Sequence, residues 1–93
     1  MTSEQVLELR RRLRLTQAVF AKLLNVDVRT AARWESGSTT PTGAAEAVMI
    51  AISTRLDAEP SEADEFIRFV VAALAIGGLT YLLLKLFEKA GSS

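Results

Sequence analysis

Two arginines, Arg29 and Arg33, stand four residues apart in the segment Asp27-Val28-Arg29-Thr30-Ala31-Ala32-Arg33-Trp34-Glu35-Ser36. At that spacing two side chains share one side of an α-helix. Each guanidinium carries paired donors that match a two-acceptor edge such as guanine O6 and N7, and Val28 on the same side has the apolar surface that touches a thymine methyl. Ala31 and Trp34 turn the other way, toward a core. The chemistry expected of this segment is recognition of double-stranded DNA, with Val28, Arg29, Ala32 and Arg33 facing the base edges.

Much other chemistry is excluded by composition. The 93 residues contain no Cys and no His, which removes disulfides, thiolate nucleophiles, imidazole bases and nearly all zinc sites. No Gly-rich phosphate loop and no pair of carboxylates at helical spacing in an apolar pattern is present. Hence no catalytic residue, no metal and no cofactor is expected, and the chain does not read as an enzyme. The formal net charge of zero conceals an asymmetry. Residues 1–55 hold eight Lys and Arg against five acids, while residues 56–93 hold three bases against six acids. The basic half is the one expected to meet DNA.

Four helices are expected to position the arginines. Val6, Leu9 and Leu13 recur at the 3.6-residue period from Ser3 to Leu13. Thr16 is suited to cap a second helix carrying Ala18, Phe20, Ala21, Leu23 and Leu24. Asn25 tolerates the left-handed backbone that ends a helix, Val26 plugs the turn, and Asp27 caps the arginine-bearing helix, which Ser36-Gly37 closes. Ser38-Thr39-Thr40-Pro41 is a loop, and Thr42 is expected to cap a fourth helix with Ala45, Val48, Met49, Ile52 and Leu56 inside. Arg10, Arg11, Arg12 and Arg14 form a charge run that reads as mostly solvent-facing, with Arg14 within reach of a phosphate.

The stretch from Leu15-Thr16-Gln17 through Phe20-Ala21, the turn at Asn25-Val26, Arg33-Trp34-Glu35-Ser36-Gly37 and Pro41 resembles the helix-turn-helix of Xre/Cro-like phage and bacterial repressors, an antitoxin-type variant included. The resemblance covers roughly residues 3–56. It implies that Gln17 holds a DNA phosphate and that Glu35 pairs with Arg10. Ala21 suits the close crossing of the second and third helices, with Val26 and Trp34 packed behind them. Thr16, Thr30, Ser38, Thr39 and Thr40 are expected to join Gln17 at the DNA backbone. Many relatives carry Lys or Arg in the loop after the Gly; here only hydroxyls occur, so phosphate affinity is expected to be lower and its salt dependence shallow.

The remainder differs in kind. After a linker, 58–61, with Ser61 expected to start a helix, the sixteen residues Phe69 to Leu84 carry no charge. A helix apolar on every side must be buried in protein or in lipid. Sixteen residues span about 24 Å at the α-helical rise, short of the roughly 30 Å of a hydrocarbon core. Residues 62–90 are therefore expected to form an apolar helix, or a hairpin broken at Gly77-Gly78, that assembles copies of the chain into a homo-oligomer. Phe66, Phe69, Val70, Ala73, Leu74, Gly77, Leu82, Leu83 and Leu86 would make the contact. Two alternatives stay open, a membrane anchor and a surface for a protein partner such as a toxin. The expected architecture is all-α, a four-helix helix-turn-helix domain over 1–57 followed by this segment. The polar N-terminus is no secretory signal, which points to the cytoplasm.

Overall fold

The computed structural model describes residues 1–91, without the side chains of residues 89–91. Six α-helices run in the order α1 Ser3–Arg12, α2 Gln17–Leu23, α3 Val28–Ser36, α4 Gly43–Ala58, α5 Ala63–Ala72 and α6 Leu79–Gly91. Short 3-10 turns, Pro60–Glu62 and Ala73–Ala75, flank α5. Among the described residues there is no strand.

The first three helices end by the same device. The backbone turns left-handed at Arg14, Asn25 and Gly37, with φ of 59°, 56° and 84°. In each case the next N–H reaches back five residues: Leu15 N to Arg10 O, Val26 N to Ala21 O and Ser38 N to Arg33 O. This bond satisfies a carbonyl that the finished helix would leave without a partner. Asn25 and Gly37 are residue types that accept the conformation. Arg14 does so against its preference, and nothing in its residue type announced it.

Two expected caps differ from the structure. The Thr42 hydroxyl makes no cap bond to α4. Gly43 follows it at φ +61°, so the first turn does not present its amides as an ordinary N-cap requires. Ser61 lies inside the 3-10 turn, and α5 begins two residues later at Ala63. Pro60 opens that turn, having no N–H to lose.

One apolar cluster holds all six helices together. Val6, Leu9 and Leu13 of the α1 region, Phe20, Leu23 and Leu24 around α2, Trp34 of α3 and Val48, Met49, Ile52 and Leu56 of α4 are joined in it by Phe66, Val70, Ala73 and Leu82. Four of the nine residues expected to pair copies of the chain are thus buried within one copy. Phe69, Leu74, Leu83 and Leu86 are half-buried against the same cluster, and Gly77 is exposed. An apolar pattern reports that a surface needs covering, not which chain covers it.

The C-terminal segment is a hairpin rather than one long helix. After Ala75 the chain turns at Gly77 (φ 125°) and Gly78 (φ 60°), and Gly78 N donates to Ala73 O at 2.7 Å. A Cβ at Gly78 would lie 3.0 Å from the Leu23 carbonyl oxygen, so the hairpin tip sits directly on the end of α2. Among the described residues no helix is long and apolar enough to cross a membrane.

Candidate nucleic-acid interface

The segment joining α2 to α3 is short because both ends are locally fixed. Val26 N bonds Ala21 O at one end, and at the other Asp27 Oδ1 accepts the Arg29 backbone N–H at 2.8 Å. Ala21, 2% exposed, keeps α2 close to α3, which packs against it. Ala31 and Trp34 are buried beneath α3, and Val26 is packed against the core. The opposite side of α3 is left to solvent. The Arg29 side chain is 82% exposed, Arg33 and Val28 are exposed, and Ala32 is half-buried at the edge.

A fork of hydrogen bonds fixes the far end of α3. Arg10 donates from Nε to Glu35 Oε2 at 2.7 Å and from Nη2 to Glu35 Oε1 at 2.9 Å, and its Nη1 donates to the Leu15 carbonyl at 3.1 Å. Gln17 Nε2 adds a bond to Glu35 Oε1 at 3.2 Å. One carboxylate therefore ties α1, the start of α2 and the end of α3 together. The hydrogen bonds that Arg10 donates to Glu35 push its guanidinium above its ordinary pKa, against the lowering effect of burial.

The residues expected at the DNA backbone lie around this frame. The Thr16 hydroxyl accepts from Val19 N at 3.2 Å and so caps α2. Gln17 is half-buried by its bond to Glu35, Thr30 is half-buried, and Ser38, Thr39 and Thr40 are exposed beyond Gly37. Ser36 and Ser38 share a hydroxyl contact of 3.0 Å, and Ser36 Oγ donates to Arg33 O.

Sequence reasoning gave Asp27 only a capping role and left Arg12 in a solvent-facing run. Asp27 also faces the Arg29 Nε at 3.5 Å. Its carboxyl is held below the ordinary range chiefly by the Arg29 backbone N–H, against an opposing effect of desolvation, with smaller contributions from the charges of Arg29 and Arg33. Arg12 Nη1 donates to Asp57 Oδ1 at 2.8 Å, linking α1 to α4. The i to i+2 spacing of an Asx turn could have signalled the first of these. No short-range pattern signals the second.

Among known protein families, a helix-turn-helix model matches residues 6–61. No curated protein and no solved structure matches the chain.

Proposed function

This chain belongs to the Xre/Cro-like helix-turn-helix family of DNA-binding regulators, and from that premise we propose that it represses transcription in the cytoplasm by occupying an operator as a homodimer. Arg29 and Arg33 read guanine edges, while Val28 and Ala32 contact neighbouring bases. Thr16, Gln17, Thr30, Ser38, Thr39 and Thr40 hold phosphates and set the register. The observation that carries this reading is the division of α3, with Ala31 and Trp34 buried on one side and both arginines exposed on the other.

A single such helix reaches about one half-site, so useful affinity calls for two copies. With Phe66, Val70, Ala73 and Leu82 spent inside the chain, the surface left for a second copy is narrower than the sequence suggested. Ile50, Leu84 and Phe87 are exposed. Ala47, Ala51, Thr54, Arg55 and Ala58 of α4, with Leu86 of α6, line a shallow, mostly apolar groove of about 530 Å³ whose lining Ile50 and Phe87 share. Projecting side chains at the edge of such a groove suit a twofold contact in which each copy fills the other's groove. The main packing partners of α3 are α2 and α1, and no residue lining the groove belongs to α3, so a contact there does not use the DNA-facing helix.

Fluorescence anisotropy on an operator, with random-sequence DNA as competitor, tests base reading. Arg29→Ala and Arg33→Ala should each lose about tenfold or more in preference for the operator. Equal preference in both variants would remove the assignment. Sedimentation of Ile50→Glu and Phe87→Glu tests the dimer surface; both should sediment as folded monomers, and a dimer persisting in both would exclude this surface.

A further inference from the structure

Asp27 is placed where a carboxylate is electrostatically costly. It opens the helix proposed to enter the groove, its side chain is 57% exposed, and DNA presents a dense row of phosphates to that surface. Capping α3 does not require the charge, since Asn and Ser cap about as well as Asp. What the charge adds is a hold on Arg29. One oxygen, Oδ1, accepts the Arg29 backbone N–H at 2.8 Å and faces the Arg29 Nε at 3.5 Å. The nearby Arg33 charge also stabilises the carboxylate.

We propose that Asp27 is a positioning residue for base reading: its carboxylate holds the Nε edge of Arg29, so that the guanidinium meets DNA only through Nη1 and Nη2. An arginine can approach the O6 and N7 of guanine either end-on, through both Nη groups, or side-on, through Nε and one Nη. With Nε turned toward Asp27, the end-on approach remains. The side chain also gives up rotamers before it meets DNA, so less entropy is lost on binding the correct base. Meanwhile the negative charge weakens attachment to phosphates at any sequence. Both effects raise the ratio of operator to non-specific affinity, the quantity that matters among many competing sites.

The inference rests on Arg29 as a base-reading residue, and a double-mutant cycle separates the two claims. Operator and random-sequence duplexes are titrated with wild type, Asp27→Asn, Arg29→Ala and the double variant, with thermal unfolding as a check that the cap survives. Asp27→Asn should bind random DNA more tightly, lose about fivefold to tenfold in operator preference, and change the preferred base only at the pair that Arg29 reads. In the Arg29→Ala background the same change should leave base preference untouched, because there is nothing left to position. Arg29→Ala selectivity equal to wild type would defeat the base-reading assignment and this inference together. Altered selectivity in Arg29→Ala with none in Asp27→Asn would defeat the positioning role alone, as would a full Asp27→Asn effect that persists without Arg29. Asp27→Glu, which keeps the charge on a longer arm, should recover the weak binding to random DNA but not the full base preference.

Discussion

Arg10 and Glu35, twenty-five residues apart, join in a two-bond fork, Nε to Oε2 at 2.7 Å and Nη2 to Oε1 at 2.9 Å. The Glu35 side chain is 8% exposed there, so removing either partner leaves a largely desolvated charge without its counterpart. Arg10→Ala or Glu35→Ala should each cost about 2–3 kcal/mol in urea denaturation. The double change Arg10→Met with Glu35→Leu should cost less than either single one, because no orphan charge remains. A strictly additive pair of losses would contradict a coupled fork.

Gly78 and Gly43 share nearly the same backbone, φ 60° and 61°, but a Cβ at Gly78 meets the Leu23 carbonyl oxygen at 3.0 Å while one at Gly43 meets nothing within 4 Å. Replacement by Ala should therefore cost about 1 kcal/mol at Gly43, from the backbone alone. At Gly78 it should cost about 1–2 kcal/mol more, from the contact. Equal melting temperatures for the two variants would show that the hairpin tip does not rest on α2.

Deleting residues 62–93 should unfold the helix-turn-helix rather than merely separate subunits. Phe66, Val70 and Leu82 are buried in its core, and each buried apolar side chain of that size contributes about 1.5–3 kcal/mol. Together they approach the whole stability of about 5–15 kcal/mol expected of a small domain. Circular dichroism of the truncated chain should show no cooperative melting near the wild-type temperature. A sharp transition at an unchanged temperature would mean that residues 1–61 suffice.

Acid should weaken the start of α3 in a defined direction. The Asp27 carboxyl titrates below its ordinary range, chiefly because the Arg29 backbone N–H binds its charged form. Its contribution is fully present above the unfolded-state value of about 3.9 and is lost as pH falls through the lower folded-state value. The stability difference between wild type and Asp27→Asn should thus stay constant above about pH 5 and shrink in more acid solution. A difference that widened toward pH 2 would reverse the assigned sign.

The frame of the proposed DNA-facing surface was legible because its signals are local. The caps Thr16 and Asp27, the left-handed Asn25 and Gly37, and the division of α3 between Trp34 and the arginines all follow from residue type and helical spacing. The Arg10 to Glu35 pair, by contrast, came from family resemblance, since residues so far apart carry no periodic signal. The fate of the apolar C-terminus was not legible for a related reason. Phe66, Val70 and Leu82 are apolar whether they cover their own helix-turn-helix or a second copy, and the Gly77-Gly78 turn, which the sequence does show, is compatible with both. Arg14 at φ 59° and the unused Thr42 hydroxyl are cases where local preference yielded to the path of the chain.

Selection of bound duplexes from a random pool, run in parallel with wild type and Arg33→Ala, tests base reading by α3 most directly. The wild-type protein should enrich two symmetry-related half-sites with centres about 10–10.5 base pairs apart. Arg33→Ala, with its melting temperature unchanged, should lose the preference for guanine at one pair in each half-site. If the folded variant enriches the same sequences as wild type, or if the wild type enriches none, α3 does not read DNA through its outer face.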